Sequence, residues 1–182
     1  ISDLEVNQKD VNGKLYYIKY YLEGSNDFLV IATTRPETLF GDTAVAINPS
    51  DERYLKYLGK KIKIPISNRL VEIISDEYAD PTQGSGVVKI TPAHDYNDYD
   101  VGKRNNLELI NIMNKDGTLN KNVPINYQNL DRFEAREKLI KELNDLEQIE
   151  KIDDIKHTVP FGDRSGVVVE PLLTKQWFVD AK

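Results

Sequence analysis

The chain of 182 residues has no cysteine, two histidines, one methionine and one tryptophan. Without cysteine there is no disulfide, no thiolate nucleophile and no Cys-ligated zinc or iron–sulfur centre. His94 and His157 lie far apart in the chain, so a multi-histidine metal cage is not expected. No apolar run approaches the roughly 18 residues of a membrane span, and no membrane partner is expected. The formal charge of −6, from 24 Lys+Arg against 30 Asp+Glu, argues against holding nucleic acid by charge alone. What is present suits a globular chain with one sizeable core, at 40% hydrophobic and 30% charged residues.

Apolar, β-branched runs at residues 28–34, 43–47, 61–66, 70–74, 86–91, 108–112 and 166–170 predict strands. Residues 14–22 add an aromatic-rich strand that should pair with 28–34 across the turn Gly24-Ser25-Asn26-Asp27. Pro49, Pro65, Pro81, Pro92, Pro124, Pro160 and Pro171 fall at the ends of these runs or in turns. Three helices are expected. One spans 131–148, with Asp131 as cap, Glu134 completing a capping box, and an apolar stripe of Ala135, Leu139, Leu143 and Leu146 beside Ile140. A short one follows Ser50, turning Tyr54, Leu55 and Leu58 inward before Gly59 stops it. The third runs from Asp95 to about Asn105. There is no regular βαβ alternation, so the expected fold is α/β, mixed and β-rich: a twisted, barrel-like β core with about three peripheral helices. The start at Ile1 and the end within Trp177-Phe178-Val179-Asp180-Ala181-Lys182 lead us to expect a part of a larger protein.

Charge is unevenly spread. Residues 53–69 hold six bases and no acid, whereas 131–156 hold nine acids against six bases. The basic run reads equally as a solvated face or as a surface that tracks phosphates.

Most familiar catalytic patterns are missing. Gly84-Ser85-Gly86 lacks the Gly-Lys-Ser/Thr continuation of a P-loop, and Ser85 and Ser165 lack nucleophile-elbow spacing. His94-Asp95 lacks the further ligands a metal site needs, so neither metal nor cofactor is expected.

Two segments are unusually polar. Thr33-Thr34-Arg35-Pro36-Glu37-Thr38 follows an apolar strand and gathers donors and acceptors at its end. Its plain alternative is an exposed, self-capped turn. In the second segment, Lys89 and Thr91 share one strand face, opposite Val88 and Ile90. Pro92 ends the strand, Asp95 and Asp98 fall on the first turn of the next helix, and Gly102 lies on the Asp98 side. Capping, worth about 0.3–1 kcal/mol per acid, explains one carboxylate well, two less well, and Lys89 not at all.

Residues 33–46 and 84–98 together resemble the editing domain inserted into the large class I aminoacyl-tRNA synthetases for valine, isoleucine and leucine. Lys89-Ile90-Thr91-Pro92-Ala93-His94-Asp95-Tyr96-Asn97-Asp98-Tyr99 and Arg35-Pro36-Glu37-Thr38 with Gly41-Asp42-Thr43 look most like the valine version. Leu130-Asp131-Arg132-Phe133-Glu134-Ala135-Arg136 and residues 162–177 extend the similarity across nearly the whole chain. The resemblance implies residues 1–170 as an editing domain and 171–182 as the return toward a synthetic domain. It implies hydrolysis of threonine wrongly esterified to tRNA(Val), in a monomeric cytoplasmic enzyme whose remaining chain acts in cis.

Threonine replaces a valine methyl with a hydroxyl, an isostere that an apolar pocket rejects poorly, which is this enzyme family's own known difficulty. By resemblance, Asp98 binds the α-ammonium, and Arg35 and Thr38, beside Thr34, contact the terminal adenosine and ester region. Lys89 and Thr91 read the threonine hydroxyl, and Asp95 supports the site. Gln83 stands where related valine enzymes often carry an aromatic residue against the adenine. No general base is implied at His94; a water positioned by these groups and the ribose hydroxyl serves instead. Alternatives are a catalytically silent module for the tRNA acceptor end, a general small-molecule hydrolase, and the editing domain of the related isoleucine or leucine enzymes.

Overall fold

Alternation of apolar and polar side chains dominates the computed structural model, which describes residues 5–173. Strand β1 (Val6–Tyr21) buries Ile18 and Tyr20 while Lys19 between them faces outward to Glu150. It pairs antiparallel with β2 (Phe28–Thr33), placing Tyr16 opposite Thr33 and Tyr21 opposite Phe28. This is the expected hairpin. The chain then forms β3 (Ala44–Ile47), β4 (Lys61–Lys63), β5 (Leu70–Ser75) and β6 (Val87–Ile90), a four-stranded sheet ordered β4-β5-β3-β6. Within it β3 runs parallel to β5 and antiparallel to β6, with Val45 opposite Lys89. Strand β7 (Ile149–Gly162) pairs with β1 along almost its full length, giving a second sheet ordered β2-β1-β7.

Mixed, strand-rich architecture is as expected, but among the described residues neither sheet closes on itself. The barrel-like core is therefore corrected to two open sheets. Strand β1 spends its second edge on β7, and the bridge between Leu22 and Ile62 is what links the hairpin end to β4. A common core joins Ile18, Ile31, Val45, Ile47, Ile62 and Ile73 from the sheets to Leu39, Phe40 and the inner face of α2 (Arg132–Asp145).

Helix α1 (Tyr96–Arg104) begins at its expected cap, Asp95, and ends against Asn105. Helix α2 starts after Asp131, whose side chain accepts from the Phe133 N–H, and buries Ala135, Leu139 and Leu143. Leu146 leaves the stripe: it is the C-cap and 55% exposed, because the helix stops one residue earlier. The helix expected after Ser50 is one 3-10 turn, Leu55–Tyr57, with Leu55 and Leu58 exposed rather than inward. Residues 108–112 are irregular, and 166–170 contribute only the bridge between Val168 and Phe161. Residues 149–162, in contrast, form a strand that their sequence did not announce. Pro160 lies inside it, opposite Gln8; its carbonyl accepts from the Val169 N–H on the side away from β1, so the missing donor falls outside the β1 ladder. Residues 174–182, including Trp177, lie outside the described residues.

Candidate functional site

The two polar segments meet. After β2 the chain enters a 3-10 helix, Pro36–Gly41, in which every residue is buried. The exposed-turn reading of this segment is thereby overturned. Glu37 is fully buried and held bidentately by Arg136 of α2, at 2.7 and 2.8 Å. Thr33 accepts from the Arg35 N–H, and the buried Thr38 donates its hydroxyl to the Arg35 carbonyl at 2.8 Å. These bonds fix the turn that aims Arg35. Its guanidinium donates to the His94 carbonyl at 2.8 Å and pairs with Glu170, joining the first polar segment to the second. Burial pushes the Glu170 carboxyl up, offset chiefly by the Arg35 charge.

Behind this layer lies a buried cluster. Lys89 and Thr91 do share a face, and both converge on Asp42, which has no exposed surface. Lys89 Nζ lies 3.1 Å from Asp42 Oδ1 and also donates to the Thr91 hydroxyl. The Thr91 hydroxyl donates to the same Oδ1 at 2.7 Å, while the Tyr20 hydroxyl donates to Oδ2 at 2.9 Å. Desolvation pushes both Asp42 and Tyr20 up, the Lys89 charge opposing it at Asp42. Asp98, 6% exposed, accepts the Thr91 N–H at 2.8 Å. Its carboxyl is pushed up to about 6, mainly by burial, against the pull of Lys89 and that N–H.

Asp95 and Asp98 separate into two roles. Asp95 accepts the N–H groups of Asn97 and Asp98 and is a helix cap. Asp98 reaches back to the strand instead. His94 is buried, with Nε2 accepting from the Ile112 N–H at 2.9 Å, so the ring proton sits on Nδ1. Burial, then the charges of Arg35 and Lys89, push it down to about 3. A neutral ring whose lone pair is already engaged is no general base. Close packing explains two glycines here: a Cβ on Gly41 would stand 3.1 Å from Thr91 Cγ2, and one on Gly102 only 2.7 Å from the Pro92 ring.

Thr34, Arg35 and Asp95 open onto a cleft of about 690 Å³ between the β1–β7 ribbon and the N-terminal ends of α1 and α2. Tyr96, Phe133 and His157 also line it. Gln83 is exposed in the turn before β6. In the basic run, Arg53 pairs with Asp51, and Arg69 donates to the Phe40 and Asp42 carbonyls. Two of the six bases thus serve the fold. Sequence reasoning singled out Lys89, Thr91 and Asp98 but missed Asp42, Tyr20, Arg136 and Glu170. For Asp42 a signal existed, an acid between the buried runs 36–41 and 44–47. Among the described residues, no group of three or more His, Cys, Asp or Glu is placed to hold a metal, and no helix is long and apolar enough to cross a membrane.

No protein-family model matches the chain. It is 58% identical to the valine–tRNA ligase of Pelagibacter ubique (strain HTCC1062) over 182 residues, all of this chain and 21% of that protein. It is 56% identical to the valine–tRNA ligase of Prochlorococcus marinus subsp. pastoris, over 98% of this chain and 20% of that one. The Francisella tularensis subsp. tularensis enzyme of the same name is 51% identical over the whole chain. A crystal structure of an Agrobacterium radiobacter K84 LeuRS in a ternary complex with tRNA and LeuAMS shares the fold. Its TM-score is 0.58 at 20% identity, covering 85% of this chain and 21% of that one. The chain spans about a fifth of the length of the curated relatives it matches, and over its own whole length it is homologous to that segment of valine–tRNA ligase.

Proposed function

We propose that this chain is the editing domain of a valine–tRNA ligase and hydrolyses the ester of threonine wrongly attached to tRNA(Val). The observation that carries the reading is the buried cluster in which Lys89 and Thr91 are held together beside the carboxylate of Asp98. An apolar pocket would not need it. A threonine side chain satisfies such polar groups, whereas valine strands them at a cost of about 1–3 kcal/mol each. Identity of 50% or more to valine–tRNA ligases supports valine over the leucine and isoleucine alternatives.

In this reading Asp98 pairs with the α-ammonium, and Lys89 and Thr91 meet the side-chain hydroxyl. Arg35 and Thr34, on the cleft, face the terminal adenosine and ester, while Thr38 holds the Arg35 turn and Asp95 caps the helix that carries Asp98. A positioned water adds to the ester carbonyl carbon. The C–O bond to the ribose breaks, and the leaving oxygen takes up a proton, so threonine and uncharged tRNA are released. The partner is the 3′ end of the tRNA, with the rest of the ligase in cis gripping its body. The net charge of −6 then allows only weak tRNA binding by the segment alone. A threonyl-tRNA(Val) deacylation assay on the full-length polypeptide tests the reading. Wild type should hydrolyse the ester and Asp98→Ala should lose about 100-fold, at about 1.4 kcal/mol per tenfold. Wild-type binding of the acceptor end with the ester left intact would identify a silent module instead.

A further inference from the structure

Lys89 and Thr91 do not orient themselves. An ionised carboxylate only accepts, so the Thr91 hydroxyl must spend its proton on Asp42 Oδ1, at 2.7 Å. The oxygen of Thr91 is then an acceptor toward Lys89, which donates a second N–H to Asp42. An ammonium has three donors and a hydroxyl oxygen two lone pairs. After the bonds to the described residues, Lys89 keeps one N–H and Thr91 one lone pair. One donor and one acceptor side by side complement a hydroxyl, which is itself an acceptor and a donor. A methyl engages neither. The direction of both bonds depends on Asp42 staying an acceptor in one fixed pose. Tyr20 secures that pose from β1 through Oδ2 at 2.9 Å, and Arg69 secures the backbone through the Asp42 carbonyl at 2.8 Å.

We propose that Asp42, anchored by Tyr20, is the positioning residue that sets the proton directions of Lys89 and Thr91 and so determines selection of a hydroxyl-bearing over a methyl-bearing aminoacyl group. The proposal rests on the editing reading and adds to it a residue that never touches the substrate. Asp42 acts from 0% exposure, through Lys89 on β6 and Thr91 just past its end.

The test measures kcat/KM for deacylation of threonyl-tRNA(Val) and valyl-tRNA(Val) by the full-length polypeptide, as wild type and Asp42→Asn, with melting curves in parallel. The substitution keeps the volume but removes the charge that orients the ammonium. The threonyl-to-valyl ratio should fall about 10- to 100-fold, the effect of losing charge-assisted hydrogen bonds. A purely structural role would lower both rates together and leave the ratio unchanged; that result overturns the proposal. If Asp42→Asn does not fold, Tyr20→Phe decides, since it keeps the carboxylate and removes only its anchor. The ratio should then fall about three- to tenfold, and an unchanged ratio overturns the proposal. A wild type inactive on both esters removes the editing reading itself, and the proposal with it. An active wild type with an unchanged ratio in the variant removes the proposal alone.

Discussion

Asp98→Asn should make this protein more stable at neutral pH while disabling it. The native carboxyl is 6% exposed and is pushed from its ordinary 3.8 to about 6, with burial the largest cause. Lys89 and the Thr91 N–H favour its charged form; Asp95 and Asp42 disfavour it. Because the folded state binds this proton more tightly than the unfolded chain does, stability contributed here is present at low pH. It is lost as pH rises from about 4 through about 6. Above that window the ionised group costs about 3 kcal/mol relative to the unfolded chain, an order-of-magnitude figure. Asparagine keeps an oxygen for the Thr91 N–H and carries no charge. At pH 7.5 the variant should therefore gain about 2–3 kcal/mol, or roughly 4–10 °C in Tm. At pH 4 the gain should disappear, because the native carboxyl is then protonated. Wild-type deacylation should fall below about pH 6 as Asp98 loses its charge, and the variant should be slow throughout and lack that limb. Thermal melts at both pH values and a rate profile from pH 5 to 8 supply the check. A variant less stable at pH 7.5, or one with full activity, would refute the reasoning.

Glu37→Gln breaks the buried, bidentate pair with Arg136 and should cost about 3 kcal/mol in denaturant titration; a loss under 1 would show that the pair is dispensable. Gly102→Ala forces a Cβ to within 2.7 Å of the Pro92 ring, so α1 must shift with Asp98 on it. Stability should fall by about 1–3 kcal/mol, together with the deacylation rate. Leu139→Ala should cost about 2–5 kcal/mol by opening a cavity under α2, whereas Leu146→Ala, at 55% exposure, should change stability by no more than about 0.5 in the same titration.

Local signals carried the two α-helices and the first hairpin, though not the expected helix after Ser50. Asp95 and Asp131 cap their helices within their own first turns, and the turn at residues 24–27 sets two neighbouring strands against each other. Long-range pairing was not legible. Residues 149–155 space their isoleucines three apart among charged residues and look like the solvated tail of a helix; 149–162 become a strand because β1 offers a matching edge. The run 108–112 has strand composition but joins neither sheet: its Ile112 N–H goes to His94 and its Ile112 carbonyl accepts from the Asn120 N–H. The barrel expectation failed for the same reason. Composition can announce strands, but sheet closure depends on which edges meet.

By itself the sequence determined the local half of the site: Lys89 and Thr91 on one strand face, a proline stop, and two acids on the following turn. Those relations span a few residues and follow from strand and helix periods. Only the tertiary structure decided that Asp95 is a cap while Asp98 is a buried carboxylate. It alone sealed Glu37 against Arg136 and set Asp42 and Tyr20 behind Lys89. These partners come from different strands, a 3-10 helix and α2, with 99 positions between Glu37 and Arg136. What brings them together is the cost of burying a polar group without a partner, which operates only once the core has closed around them.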